Sequence, residues 1–175
     1  MTITQDQLAR IMPNGRFRAP VFIDPLNAAM QAFSISDNAL RESAFLAQIA
    51  HESGELRYVQ EIASGQQYEG RKALGNTIPG DGIRYKGRGL IQITGRSNYA
   101  QCGHALELDL LEHPELLETR VNACRSAAWF WQTHGLNELA DAEDFLRITK
   151  RINGGTNGLH ARLEYYERAK AVLVA

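Results

Sequence analysis

Ser36-Asp37-Asn38-Ala39-Leu40-Arg41-Glu42-Ser43-Ala44-Phe45-Leu46-Ala47-Gln48-Ile49-Ala50-His51-Glu52-Ser53-Gly54 reads as a buried helix that ends on a carboxylic acid. Leu40, Ala44 and Ala47 recur at helical spacing, Phe45, Ile49 and Glu52 share the neighbouring stripe, and Ser36 or Asp37 is placed to cap the start. Glu52 therefore continues an apolar face, and Gly54 just beyond it is a helix stop. In that last turn, partial burial and the negative end of the helix dipole both disfavour the ionised carboxyl. A second acid, Glu61, follows nine positions later.

Two further segments combine glycine with hydrogen-bonding side chains. Arg84-Tyr85-Lys86-Gly87-Arg88-Gly89-Leu90-Ile91-Gln92-Ile93-Thr94-Gly95-Arg96-Ser97-Asn98-Tyr99 is unlike a core strand. Its glycines allow close backbone approach to a ligand, Gln92 and Asn98 can donate and accept toward hydroxyls and amides, and Tyr85 or Tyr99 can stack on a pyranose face. Ile91 and Ile93 alternate with Gln92 and Thr94, which predicts a brief strand turning the polar pair to a cleft. Ile152-Asn153-Gly154-Gly155-Thr156-Asn157-Gly158 joins glycine to amides again, with Arg162 one turn later; alone it also reads as a turn. Three polar segments beside one protonated and one ionised carboxyl point to hydrolysis of a sugar bond.

The HES motif at 51–53, Gln60-Glu61, the 85–99 segment and INGGTNG at 152–158 with its downstream arginine together resemble glycoside hydrolase family 19, of the phage-endolysin type. The resemblance spans roughly residues 40 to 170. It implies a mainly α, lysozyme-like two-lobed fold, with a helical core and a small irregular or β lobe forming the cleft. It also implies an inverting mechanism, with peptidoglycan glycan strands as substrate. By the same resemblance Glu52 matches the general acid, Glu61 the second acid and Thr94 the hydroxyl that holds the attacking water; Gln92, Asn98, Asn153 and Arg162 match cleft-lining positions.

Glu69 competes with Glu61 for the second acid, and the short spacing after HES favours Glu61; Glu55 reads as a solvated loop acid. Within the lysozyme-like group a lytic transglycosylase would need only one acid, a chitinase would cut a related bond, and a glycan-binding protein would keep the cleft without chemistry. The many cysteines of plant chitinases are absent, which favours the endolysin.

The bulk properties bound these readings. At 175 residues, 44% apolar and 22% charged, the chain is expected to form one catalytic domain over 1–175 with no linker and no separate wall-binding domain. A formal charge of −1 argues against nucleic acid as partner, and the cations at Arg71, Lys72, Arg84, Lys86, Arg88 and Arg96 are the place for any local attraction to an anionic wall. The start carries neither a basic nor an apolar leader region and no stretch is long enough to span a bilayer. The expectation is therefore synthesis in a host cytoplasm, action at the wall after release by a separate holin-like protein, and no stable membrane insertion. Cys102 and Cys124 read as buried thiols, and the five histidines lack ligand spacing, so neither metal nor cofactor is expected, and a monomer is the default.

Helices are predicted near 4–11, from Asp24-Pro25 to about Phe33, and near 95–107, 119–134, 142–152 and 158–173. Val121, Cys124, Ala128 and Trp131 make one predicted inner stripe, and Leu159, Leu163, Tyr166 and Leu173 another. Trp131, and less clearly Trp129, reads as core and not as a sugar platform.

Overall fold

A computed structural model describes residues 2–174. The elements are α1 (Gln5–Ile11), α2 (Ala19–Ala32), α3 (Ala39–Glu52), α4 (Asp81–Arg84), α5 (Arg96–Leu106), α6 (Arg120–Thr133), α7 (Leu136–Asp141), α8 (Phe145–Asn153) and α9 (Leu159–Leu173), with short 3₁₀ turns between them. The fold is mainly helical, as the periodicities predict.

The acid-bearing helix α3 is the axis of the larger lobe. Asn38, one residue after the predicted caps, accepts from the Arg41 amide, and every residue from Glu42 to Ala50 is buried. Such a helix is enclosed on all sides, chiefly by α9, with α7 also against it. Phe45 meets Trp131 of α6 edge to face at 5.3 Å, and Trp131, fully buried, donates to Asn137 Oδ1 at 2.9 Å. Truncating Phe45 to alanine would cost roughly 3–5 kcal/mol by loss of burial plus the cavity left behind.

A second apolar cluster, built from Tyr85, Ile93, Tyr99, Cys102, Leu106, Leu110 and Leu117, underlies the smaller lobe. Its β content is minimal: antiparallel bridges pair Gln60 with Arg88 and Arg88 with Ile93. Ile93 points inward and is 3% exposed, while Gln92 and Thr94 on either side are half-buried on the opposite face, as the alternation predicts.

Several expectations are corrected. α2 begins at Ala19, and Pro25 lies inside it, because the buried stripe Ala19, Phe22, Leu26, Ala29 and Met30 runs through that position and outweighs the hydrogen bond proline cannot make. α7 went unpredicted, being only six residues long. Val121 and Leu163 are exposed at 54% and 38%; Cys124, Ala128 and Trp131 of the first predicted stripe are buried, whereas in the second Tyr166 is buried and Leu159 and Leu173 are half-buried.

Glu55 is not a solvated loop acid. It is 3% exposed, sits at φ +57°, and its carboxylate accepts from the Asn14 amide (2.6 Å), Asn14 Nδ2 (2.9 Å), the Gly15 amide (2.9 Å) and Tyr165 Oη (2.7 Å). Burial raises its pKa, but these hydrogen bonds outweigh burial and hold the carboxyl below its ordinary value. The turn after α3 is thereby tied to the N-terminal segment and to α9.

Candidate active site

α3 ends at Glu52 because Ser53 diverts the chain. Its hydroxyl donates to the Ile49 carbonyl at 2.7 Å and accepts from the Leu56 amide at 2.8 Å, closing a compact turn in which Gly54, Glu55 and Leu56 all take positive φ. Glu52 is left on the rim with a side chain 22% exposed, its Oε1 shielded from solvent.

The surroundings of that oxygen differ from the apolar environment predicted for it. Arg162 of α9, 3% exposed, places Nη2 2.5 Å from Glu52 Oε1. The same guanidinium donates through Nη1 to Gln48 Oε1 and through Nε to the Asn157 carbonyl at 3.2 Å, while Gln48 Nε2 donates to Thr149 Oγ1 at 2.9 Å. Arg162 therefore touches the acid and is buried behind it, a correction to its placement on the cleft surface. His51 packs beneath Gly158, where an added Cβ would collide with its imidazole ring. Burial lowers the His51 pKa, Arg162 lowers it further, and Glu52 acts in the opposite direction.

Glu61 belongs to the smaller lobe. Its amide donates to the Gly87 carbonyl at 2.9 Å, and its carboxylate accepts from Tyr68 Oη at 2.9 Å and Gln67 Nε2 at 3.4 Å. Burial, then the bond to Glu61, raises the Tyr68 pKa. Gly87 has no side chain because none fits: a Cβ there would stand 2.5 Å from Gln92 Oε1 and 2.9 Å from Glu61 Oε2. Glu61 and Gln92 are thus brought together over Gly87.

Glu69 is differently employed. Its carboxylate oxygens accept from the Gly80 amide at 2.6 Å and the Gly82 amide at 2.8 Å, organising the turn into α4. The Glu69 carboxylate is thus bound by backbone amides of its own lobe, and the Glu61 carboxylate by the side chains of Tyr68 and Gln67.

Thr94, Asn98 and Gln92 line a cavity of about 320 Å³ with Trp129, Phe130 and His134. Asn98 Nδ2 also donates to the Thr94 carbonyl at 2.7 Å. Trp129 therefore lines this cavity, unlike the enclosed Trp131.

Tyr85 and Tyr99 are not sugar platforms. They are 1% and 0% exposed, their rings meet at 5.2 Å, and their hydroxyls donate to the carbonyls of Leu111 and Lys86. Asn153 turns its amide on its own loop, donating to the Asn157 carbonyl at 2.8 Å and accepting from the Gly155 amide at 2.7 Å, which is the turn reading of that segment. The basic cluster is largely spent internally as well: Arg88 pairs with Glu118 at 2.7 Å, Arg96 with Asp81 at 2.6 Å, and Arg84 donates to the Leu111 carbonyl.

Gln48, Tyr68 and Ser53 were missed as parts of the site. Gln48 carried a signal, being a polar residue inside the apolar stripe of α3. Tyr68 carried none, since nothing local relates it to Glu61.

Residues 21–143 match the family model described as chitinase class I. A glycosyl hydrolase family 19 domain-containing protein of Haemophilus influenzae is 32% identical, over 74% of this chain and 78% of that protein. An endochitinase of Arabidopsis thaliana is 38% identical over 79% of this chain and 51% of its own length, so the chain spans about half of that plant relative. Chitinase C of Streptomyces griseus has the same fold, with a TM-score of 0.82, 22% identity, and coverage of 99% of this chain and 93% of that one.

Proposed function

The chain belongs to glycoside hydrolase family 19, and from that premise we propose that it is an endolysin cleaving β-1,4 bonds of bacterial peptidoglycan by inversion. It is a chitinase-like glycoside hydrolase; the substrate and the residue roles are what the proposal adds. The observation that carries it is the unlike support of the two acids: Glu52 is held by one buried guanidinium at the end of α3, and Glu61 by neutral donors over Gly87.

Glu52 is the general acid. With Oε1 anchored on Arg162, the outer edge of the carboxyl delivers a proton to the leaving glycosidic oxygen. Glu61 takes a proton from the attacking water, with Thr94 as the hydroxyl that holds this water and Gln92 beside Glu61 as an amide partner. Tyr68 and Gln67 keep the Glu61 carboxylate oriented without adding a countercharge. Asn98 lines the substrate cavity next to Thr94. The enzyme acts as a monomer on glycan strands, reaching the wall once a separate holin-like protein has opened the membrane.

Chitin is the second reading, favoured by the endochitinase relatives. Mass spectrometry of products from purified peptidoglycan and from chitin oligomers separates the two. Reducing-end muropeptides from peptidoglycan support the endolysin; products from chitin alone support the chitinase; anhydro sugars reveal a one-acid transglycosylase; and no product from either leaves a binding protein.

A further inference from the structure

A concavity of about 830 Å³ is lined in part by Leu56, Arg57 and Val59 of the segment that leads into Glu61. Arg18 and Arg120 line it together with Arg57, and Pro25 and Val121 are shared with an adjoining concavity of about 510 Å³ that is also lined by the exposed Ala28 and Ala32. Neither concavity includes Glu52, Glu61 or the Thr94 cavity.

The charges of this groove are not balanced. Arg57 rests on the Tyr58 ring at 5.1 Å, Arg18 donates to the Asn14 carbonyl at 3.2 Å, and among the described residues no carboxylate pairs with Arg18, Arg57 or Arg120. Glu118, the acid on this wall, is occupied by Arg88 at 2.7 Å and Gln60 at 3.2 Å. Asp24 and Arg125 both line the second concavity, and Arg125 donates to Asn122 Oδ1 and the Leu106 carbonyl. One half of the groove thus offers three guanidiniums, and the other a floor of methyl groups with exposed Val121.

We propose that this groove binds the peptide stem of peptidoglycan, taking its carboxylates on Arg18, Arg57 and Arg120 and its alanine methyls on the exposed Ala28, Ala32 and Val121. The match is chemical: a stem peptide is rich in small apolar side chains and in carboxylates, and guanidinium–carboxylate pairing is the strong, geometrically selective form of such contact. Chitin is uncharged and has no peptide, so it could use neither half. Nucleic acid fits poorly, because the overall formal charge is −1 and half the groove is apolar. The inference rests on the peptidoglycan reading and specifies which part of that polymer is recognised outside the cleft.

The test is calorimetric titration of Glu61→Gln protein, in which the polymer survives, with two soluble preparations of glycan strands. One is released from sacculi by an endopeptidase that cuts the cross-links and leaves the stems attached, the other is stripped of peptide by an N-acetylmuramoyl-L-alanine amidase. Glu61→Gln protein should bind the stem-bearing strands and bind the stripped ones about tenfold or more weakly, the order expected from loss of one or two charge-assisted contacts. Adding Arg57→Gln and Arg120→Gln should weaken binding to the stem-bearing strands to the same degree. Both arginines are exposed, so circular dichroism should show an intact fold. Equal binding to the two preparations, no binding to the stem-bearing strands, or unchanged binding by the arginine variant overturns the groove assignment. The hydrolytic reading is judged separately, by whether the unmodified chain releases muropeptides: arginine-dependent binding without release would leave stem recognition standing and remove the endolysin.

Discussion

Arg162 Nη2 lies 2.5 Å from Glu52 Oε1, so the acid that closes α3 is aimed by a residue of the last helix. The guanidinium is held at all three nitrogens, because Gln48 Oε1 and the Asn157 carbonyl engage Nη1 and Nε. Arg162→Met should lower kcat at least tenfold and destabilise the fold by about 3 kcal/mol, toward the low end for loss of a buried ionic partner because Glu52 is partly exposed. Arg162→Lys should recover stability better than activity, since an ammonium cannot reproduce the fork. Urea denaturation beside turnover checks both, and full activity in either variant would show that the contact does not position the acid.

Gly87 offers a test in which stability and activity part company. Gly87→Ala would put a methyl 2.5 Å from Gln92 Oε1 and 2.9 Å from Glu61 Oε2, both at the ends of side chains that can swing away. The thermal midpoint should move by only a few degrees, roughly the effect of 1 kcal/mol, while kcat falls on the order of 10²-fold as base and amide separate. Unchanged turnover would mean that the pairing over Gly87 is incidental.

The rival second acids separate in the same way. Glu61→Gln should cost on the order of 10²-fold or more in rate with the fold unchanged. Glu69→Gln should act mainly on stability, because it weakens the two amide bonds that shape the turn into α4. A stable but inactive Glu69 variant beside an active Glu61 variant would reverse the assignment.

Stability should fall in acid for a stated reason. Glu55 is held below its ordinary pKa against the raising effect of burial by Tyr165, Asn14 and two amides, and Asp81 is held down first by its hydrogen bonds with Arg96. A depressed carboxyl binds its proton less tightly folded than unfolded. Its contribution is therefore complete above the unfolded value near 4 and is lost as pH falls through the lower folded value. Glu55→Gln should lower stability at pH 7 by roughly 1.5–3 kcal/mol, the worth of a hydrogen bond to a charged group, and flatten the decline below pH 4. Chemical denaturation at pH 7, 4 and 3 measures this, and an equally steep decline in the variant would remove Glu55 as a source of acid lability.

Legibility followed the range of the interactions. The α3 helix and the stop at Ser53-Gly54 were readable because period and punctuation are local, and the alternation of Ile91 and Ile93 with Gln92 and Thr94 placed the polar pair correctly. The environment of Glu52 was not readable, since the residue that defines it arrives from α9. Tyr85 and Tyr99 looked like ligand platforms in a glycine-rich segment, yet both fill the core of the smaller lobe, packed with Ile93, Leu106, Leu110 and Leu117. Glu55 was misread for a related reason: its partners come from the chain's beginning and end, and no local pattern announces a buried carboxylate with four donors.

The most direct test of the two-carboxylate account is the anomeric form of the first product, followed by proton NMR during hydrolysis of peptidoglycan glycan strands or of N-acetylglucosamine oligomers. Water delivered by Glu61 to the face opposite the proton from Glu52 predicts an α reducing end formed first from a β bond, with the β anomer appearing only as mutarotation brings the two to their equilibrium mixture. A β product formed first, or a 1,6-anhydro sugar, would contradict the roles given to Glu52 and Glu61.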